Sequence, residues 1–496
     1  MKSRTPSSRI FRTSLSAVAG LFLLLLTGCT VGPRYKTPSA PMTAAFKEAP
    51  AIDAQPVDGW RLATPADAAV RGPWWERYRD AHLDALETQV DSANQTLLMA
   101  EANFRQARAA IQYSRSFEAP SIGIGVGVGA ERDSANQPYF SSTLANNGEG
   151  NFTLPIDLSW EIDLWGRIRR SVTAAKEETQ ASAGDVASVR LSLHAELAMD
   201  YFDLRSVDAD KRLLDDTVKA YSEALQLTRN RFEGGVAPMS DVAQAKTQLQ
   251  DAQVLDSDVT ATRQQYEHAI AILIGKPPAA FSLPAMPLNT DPPMLPAIPR
   301  VLPSDLLERR PDIAAAERRV AAANEQIGIA QAAYYPTMDL SAIAGLQGTS
   351  ALNWLTWPSR FWAVGPELSE TLFDAGRRHA VKESALAGYD ASVANYRQIT
   401  LGAFQQVEDN LVVLHVLSTE AQQQHQATDA AQQSLQLFMN RYAGGVDTYL
   451  QVVTSQTTAL NNERNDIDIM RRQLDASILL VKALGGDWSR SQLPRL

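Results

Sequence analysis

The residue types able to do chemistry in this sequence are few, and each set fails the spacing its chemistry needs. Residues 120–130 read PSIGIGVGVGA, with Gly123, Gly125, Gly127 and Gly129 alternating with Ile122, Ile124, Val126 and Val128. A dinucleotide-binding loop begun at Gly123 requires its third glycine at 128, where Val128 stands, and no helix signal follows. No Gly-x-Ser-x-Gly elbow and no Walker loop occurs, so acyl and phosphoryl transfer lack their usual signatures. The six histidines, at 82, 194, 268, 379, 415 and 425, show no His-Glu-x-x-His spacing, which leaves solvated or packed rings as the default. The ten methionines form no cluster suited to a soft metal ion. Catalysis, a metal centre and a cofactor are therefore not expected. Cys29, the single cysteine, cannot close an internal disulfide.

The position of Cys29 gives it another use. Lys2, Arg4, Arg9 and Arg12 precede an apolar run from Leu15 to Leu26, a signal-peptide pattern over residues 1–28 that is too short and wrongly flanked to span a membrane. The residues Leu26, Thr27, Gly28 and Cys29 resemble a bacterial lipobox. That resemblance implies cleavage between Gly28 and Cys29 and a lipid on the thiol, each acyl chain contributing about 0.8 kcal/mol per buried CH₂. Thr30 stands where aspartate retains lipoproteins at the inner membrane, which implies the outer membrane. Removing residues 1–28 takes away four basic and no acidic residues and moves the formal charge from −10 to about −14. Nucleic acid is not an expected partner, since phosphate backbones need clustered positive charge.

The elements that carry the remaining candidates are written twice. LSWEIDLWGR at 158–167 lies over LSETLFDAGR at 368–377, and NRFEGGV at 230–236 over NRYAGGV at 440–446, both at an offset of 210; Gly275 falls on Gly485. Upstream the offset is 216, carrying Ile111 onto Ile327 and Pro120 onto Pro336. Residues 167–232 and 377–442 contain no proline, and their apolar residues recur at steps of three and four, as in Val186, Val189, Leu193, Leu197, Tyr201 and Leu204. At 1.5 Å per residue each would be a helix of about 100 Å, and a helix that long needs neighbours throughout.

Two-faced strands separate these helices. Phe152, Leu154, Ile156, Leu158 and Trp160 alternate with Thr153, Pro155, Asp157, Ser159 and Glu161; 337–347 and 362–369 alternate similarly. Their lengths suit tilted transmembrane strands, yet four strands cannot close a barrel. Several chains must then share one barrel, because an open edge in hydrocarbon leaves backbone groups unpaired. Tyr139, Phe140, Trp160, Trp165, Trp354, Trp357, Phe361 and Trp362 suit an interfacial belt, and 131–151 and 348–360 would be outer loops. The glycine face aligns with the mostly polar face of the second copy, so it should line water while the aliphatic row meets lipid.

Four stretches carry a resemblance: CTVGPRYKTPSAP at 29–41, WWERYRDAHLDAL at 74–86, LLERRPDIAAAERRVAAANEQIGIAQAAYYP at 306–336 and LFDAGRRHA at 372–380. They are similar to the outer-membrane efflux lipoproteins, the NodT and OprM branch of the TolC-like outer membrane factors. The resemblance implies an α+β membrane protein. Four strands per chain would build a trimeric 12-stranded transmembrane β-barrel, continuous with a long periplasmic α-helical coiled-coil barrel. The homotrimer would be a passive duct for small molecules, fed by an inner-membrane efflux pump through a periplasmic adaptor and performing no chemistry. A duct for secreted proteins, metal-ion efflux and a lipid-anchored helical scaffold without a pore are the competing readings.

The expected organisation is a signal peptide at 1–28, a lipidated extended linker at 29–73, a first helix at 74–118, a membrane β-hairpin at 119–163 and a helical hairpin at 164–275. A Pro-rich linker at 276–302 leads to a helix at 303–334, a β-hairpin at 335–373, a helical hairpin at 374–485 and a tail at 486–496. The two GGV turns are hairpin stops, with Pro238 able to start the next helix and Asp447 able to cap its counterpart. By the resemblance, Gly234, Gly235, Val236, Gly444, Gly445 and Val446 form the adaptor-docking tip, and Asp241, Tyr442, Asp447, Leu450 and Thr454 lie at the periplasmic gate. Thr454 and Asp447 depart from the family's charged pairs. That implies a leucine constriction ringed by carboxylates, favouring cations, in place of a salt-bridged gate.

Overall fold

The structure is a computed structural model that describes residues 30–41, 43, 45–48, 73–132, 134, 148–288 and 306–496. Gly28, Cys29, Tyr139, Phe140 and the linker segments 49–72 and 289–305 lie outside the described residues. The helix before each strand set and the two helices after it recur with the same bounds at the offsets seen in sequence. Helices α1 (Ala81–Ala93) and α2 (Gln95–Ser116) lead to strands β1 (Ser121–Ile124), β2 (Gly127–Glu131) and β3 (Glu149–Glu161), then helices α3 (Arg167–Glu233) and α4 (Met239–Leu273). The second copy has helix α5 (Pro311–Ala332), strands β4 (Thr337–Gly348) and β5 (Arg360–Ser369), and helices α6 (Arg377–Ala443) and α7 (Tyr449–Ala483). Each of α3 and α6 has 67 residues, about 100 Å at 1.5 Å per residue. Each begins after a glycine held at positive φ, Gly166 at +81° and Gly376 at +88°, which a side chain would resist.

The first helical segment of each copy is broken, contrary to the single helices expected over 74–118 and 303–334. In the first, a short turn at Trp74–Tyr78 precedes α1, whose N-cap Asp80 accepts from the His82 and Leu83 amides, and Asn94 separates α1 from α2. In the second, Arg310 stands between a turn at Leu306–Arg309 and Pro311. Asn94 and Arg310 are counterparts under the 216 offset, and they do the same work. Asn94 Nδ2 donates to the Leu273 carbonyl at 2.8 Å, while Arg310 Nη1 donates to the Ala483 carbonyl at 2.9 Å. Those two carbonyls are counterparts under the 210 offset. Each residue therefore staples the end of the returning helix to the start of its copy. Gly275 and Gly485, at φ +70° and +92°, let the backbone touch at these points, since an added Cβ would overlap the carbonyls of Ala93 and Arg309.

The sheet is a meander in the order β1/β2, β3, β4, β5, antiparallel throughout. β1 and β2 keep one register against β3, with Ile124 opposite Ile156 and Gly127 opposite Thr153. The break between them lies opposite Pro155, which has no amide hydrogen for the ladder, and the Gly125 amide still donates to the Pro155 carbonyl at 3.0 Å.

Below the sheet, α3 is flanked by α2 and α5, and further along by α4 and α7; α6 packs on α5 and then on α7. The wall is thus four elements wide from end to end. One flank is made by β1/β2, α2 and α4, the other by β5 and α6. The largest apolar cluster fills the level where α1, α3, α4 and α7 meet, with Trp74, Leu83, Val90, Leu97, Leu197, Tyr201, Ile270 and Leu474 buried. The described residues of 30–48 run from the start of α3 to α6: Arg170 Nε on α3 donates to the Val31 carbonyl at 2.7 Å, Arg397 Nε on α6 to the Ser39 carbonyl at 3.1 Å, and Phe46 packs on Phe404 of α6.

Candidate channel wall and periplasmic tip

Register places every aliphatic residue of the glycine-rich stretch on one face of the sheet. Ile122 and Ile124 lie beside Leu158 and Ile156, which lie beside Ala342 and Ala344, followed by Val364 and Trp362. This face is open: Ile122, Ile124, Val126 and Val128 are 69–72% exposed, and Trp362 74%. The opposite face carries Ser121, Ser159, Ser341 and Gly365 in one row and Glu161, Asp339 and Glu367 in another. Glu161 is paired with Arg167, Nε to Oε1 at 2.9 Å. The glycines have a local reason on this face. A Cβ at Gly123 would lie 2.7 Å from Asp157 Oδ2 and one at Gly127 2.5 Å from Thr153 Oγ1, so both make room for β3 side chains that lean across. Gly125 and Gly129 are open by comparison.

At the far end of the helices the two GGV turns are built alike. The amides of Gly234, Gly235 and Val236 donate to the carbonyls of Asn230, Phe232 and Arg231, and those of Gly444, Gly445 and Val446 to Asn440, Tyr442 and Arg441. The left-handed residues are Gly235 and Gly445, at φ +67° and +75°. Val236 and Val446 are 68% and 67% exposed. Pro238 sits at the N-cap of α4, one position before the helix starts.

The hairpins differ in their side chains. Tyr442 and Tyr449 are buried against Leu225, Val242 and Val452, joining the two hairpins, and Tyr442 donates its hydroxyl to Asp241 Oδ2 at 3.3 Å. Burial raises the Tyr442 phenol, and the neighbouring Asp241 carboxylate adds to it. Arg231 crosses from the first hairpin to the second, donating to the Ala443 carbonyl at 2.9 Å with its guanidinium 4.8 Å from the Tyr442 ring. Leu450 is 55% exposed, and Thr454 donates within its helix to the Leu450 carbonyl.

Asp447 corrects two expectations. It does not cap α7, whose N-cap is Thr448, because its carboxylate is taken by Arg441 Nε at 2.5 Å. Nor is it a bare charge, since the Arg441 guanidinium pairs with it inside the same turn. Arg231 and Arg441 were missed as tip residues, although both stand in the repeated NRFEGGV and NRYAGGV. His194 is a packed histidine: it stacks on Trp75 at 4.3 Å and meets Glu87 Oε2 at 2.6 Å, and burial pushes the Glu87 carboxyl up to about 7.

No helix among the described residues is long and apolar enough to cross a membrane. A sheet with one lipid-compatible face, two open edges and 100 Å helices beneath it is instead the architecture of an outer-membrane channel with a periplasmic helical barrel. The family description Outer membrane efflux protein matches residues 87–276 and 302–486, and the chain belongs to that family. It is 31% identical over 464 residues to the toluene efflux pump outer membrane protein TtgF of Pseudomonas putida, covering 93% of this chain and 95% of the relative. It is 29% identical to the outer membrane protein OprJ of Pseudomonas aeruginosa, covering 95% and 96%. Among solved structures, the outer-membrane channel OprN matches with a TM-score of 0.82 at 28% identity, over 92% of this chain and 99% of that one. VceC of Vibrio cholerae matches with a TM-score of 0.76 at 27% identity, over 84% and 99%. The protein is an outer-membrane efflux channel.

Proposed function

We propose that three copies close the sheet into a 12-stranded barrel and the helices into one duct, the exit component of a tripartite system that expels small organic molecules. The observation that carries this reading is the coincidence of open edges. The unpaired β1/β2 and β5 edges lie on the same two flanks as helices whose apolar residues are uncovered, such as Met99 at 59% and Val254 at 59% on one, and Leu401 at 46% and Val416 at 45% on the other. Backbone edges in hydrocarbon cost several kcal/mol per unpaired group, which another copy removes. The aliphatic face then meets lipid and the glycine face lines the lumen. Solvents and antibiotics, named for pumps of the relatives, are the cargo class we extend to this chain.

In the same reading Cys29 carries the lipid anchor. Its neighbour Thr30 lies against Gly166 at the junction of sheet and helix, and the Val31 amide donates to the Trp165 carbonyl, a position level with the membrane surface. The Gly-Gly-Val turns 234–236 and 444–446 present valines to a periplasmic adaptor that links the duct to an inner-membrane pump. The Tyr442–Asp241 bond and the Arg231 clasp hold the tip closed around Leu450. Each chain's bond contributes about 1 kcal/mol, so three removed together favour opening by about 3 kcal/mol, roughly a hundredfold in open probability.

Purified protein in planar bilayers tests this. The wild type should conduct weakly with a cation preference, and Tyr442→Phe with Arg231→Ala should raise conductance while the oligomer persists. Equal conductance in both would remove the gate; no oligomer and no conductance would leave a scaffold.

A further inference from the structure

We propose that the outer end of the sheet carries a seat for a phosphorylated glycolipid of the outer leaflet, with the Arg360 guanidinium as its phosphate-binding group. This rests on the reading that the aliphatic face meets lipid, and it names a lipid that the face would hold. Register puts Arg360 on that face, opposite Leu346 and two residues before Trp362. The other strand residues of the face are apolar, from Ile122, Ile124 and Val128 at one edge to Val364, Pro366 and Leu368 at the other, so Arg360 is its single charge among the described strand residues. The carboxylates at this end, Glu131 and Glu149, stand opposite each other on the other face. An arginine facing lipid is costly near the midplane and nearly free at the interface. Arg360 opens β5, at the end of the strand farthest from α6, where the outer leaflet of a bacterial outer membrane presents lipid-borne phosphates.

The loop that precedes β5 leans over the same face. Trp354 packs on Phe152 with ring centroids 5.9 Å apart, and a Cβ on Gly348 would lie 3.0 Å from Trp354 Cβ; Phe152 and Gly348 are paired in the ladder and belong to the aliphatic face. The loop therefore covers the outer end of the lipid side and leaves the polar side open. Its shape is held from within, Thr356 Oγ1 and Ser359 Oγ donating to the Asn353 carbonyl at 2.6 and 3.1 Å. Arg360 is fixed in turn: Nη1 donates to the Trp357 carbonyl at 3.0 Å, and the guanidinium lies 4.6 Å from the centre of the Trp357 ring. Nε and Nη2 have no partner among the described residues, which leaves a fork of donors for the paired oxygens of a phosphate. A guanidinium already held in place loses little further freedom on binding. Leu352, Leu355 and Trp357 are 97%, 60% and 75% exposed, apolar groups that acyl chains and the flat face of a sugar would cover. A phosphate carried on a sugar ring uses both the fork and the Trp357 ring beside it, whereas one carried on glycerol uses the fork alone.

The test titrates the full-length protein, purified in mild detergent and immobilised, with labelled lipopolysaccharide, with the same lipopolysaccharide after phosphatase treatment, and with phosphatidylglycerol. The wild type should hold the phosphorylated glycolipid about tenfold more tightly than the treated form, the size of one charge-assisted pair, and more tightly than phosphatidylglycerol. Arg360→Gln should erase the difference between the two glycolipid forms, and Arg360→Lys should keep part of it, since an ammonium binds phosphate as a point charge without the fork. Equal binding of both forms by the wild type, or an undiminished difference in Arg360→Gln, overturns the seat; phosphatidylglycerol held as tightly as lipopolysaccharide overturns the glycolipid as its occupant. The wild-type comparison needs no substitution, so it decides the matter even where a variant fails to assemble. The underlying reading fails separately: Val126→Asp assembling in membranes as the wild type does overturns the lipid-facing assignment, whereas loss of the phosphate effect with Val126→Asp still blocked overturns the seat alone.

Discussion

Placing a charge on each face of the glycine-rich strand tests which face meets lipid. Val126 is 69% exposed on the aliphatic face, and Gly125 is its neighbour on the other. A carboxylate at 126 loses the valine's transfer free energy, about 1.5 kcal/mol, and adds about 2 kcal/mol for a charged group facing hydrocarbon. In the proposed trimer, three copies bring the cost of Val126→Asp to about 10 kcal/mol, comparable to the whole stability of an ordinary domain. Gly125→Ser behaves differently. The added Cβ meets only Pro155 Cγ, at 3.7 Å, which is ordinary contact, and the hydroxyl faces water. The loss of glycine's freedom in the unfolded chain makes the change neutral or stabilising by about 0.5 kcal/mol. Gly127→Ser should fall between, because its Cβ lies 2.5 Å from Thr153 Oγ1, which must rotate away. The assay is the amount of heat-modifiable oligomer in outer-membrane fractions, with drug and solvent susceptibility of a deletion strain carrying each variant. Val126→Asp should abolish both and Gly125→Ser should preserve both. Equal loss in the two variants would refute the assignment of faces.

Arg310→Ala removes the donor to the Ala483 carbonyl and to Gln406 and the ion pair with Asp312, so it should cost about 3 kcal/mol and lower the unfolding temperature; Asn94→Ala, its counterpart, should cost about 1–2 kcal/mol. Thermal unfolding followed by circular dichroism reads both, and an unchanged midpoint for Arg310→Ala would remove the staple from the account. Burial, with Glu196 and Asp203 beside it, pushes Asp200 up to about 7, and burial with Asp203 does the same for Asp475, although Arg471 opposes it. Asp468 on α7 and Tyr266 on α4 complete the surroundings. Because an unfolded aspartate titrates near about 4, the folded chain binds more protons between about 4 and 7, and stability should fall as pH rises through that window. Asp200→Asn with Asp475→Asn should flatten the profile of unfolding temperature between about pH 4 and 7, and an unaltered slope would place the proton uptake elsewhere.

The repeat, the helix lengths and the faces of the sheet were legible because they rest on local rules. Period-two alternation fixes a strand's faces, and the absence of proline between Gly166 and Gly234 leaves a helix nothing to stop it before the glycine cap. What escaped depends on partners distant in sequence. Asn94 reads as an ordinary polar residue inside a helical pattern, and only the Leu273 carbonyl, 179 positions away, explains why the helix breaks there. The interruption of the glycine strand at 125 follows from Pro155 on the neighbouring strand and from nothing in its own sequence. Asp447 looked like a helix cap because aspartate before a helix usually is one. The Arg441 guanidinium, six residues back across the glycines, takes the same carboxylate, and there both donor and acceptor carry a charge.

The differences between the two copies are concentrated at the tip, and they assign different work to its hairpins. Ala237 stands where the second copy has Asp447, so Arg231 lacks the partner that holds Arg441 to its own turn. It reaches instead to the Ala443 carbonyl and the face of Tyr442. Phe232 and Met239 stand where the second copy has Tyr442 and Tyr449, and they are 43% and 59% exposed while the tyrosines are buried. The second hairpin therefore uses its aromatic residues for contact with the first, while Phe232 and Met239 of the first stay exposed. Along the helices the two repeats match, with Gly184 packed against α5 and its counterpart Ala394 exposed on α6. At the tip the unlike pairs break that likeness: each chain has one Tyr442–Asp241 bond and one Arg231 clasp, and in the proposed trimer these are three sets of contacts to release.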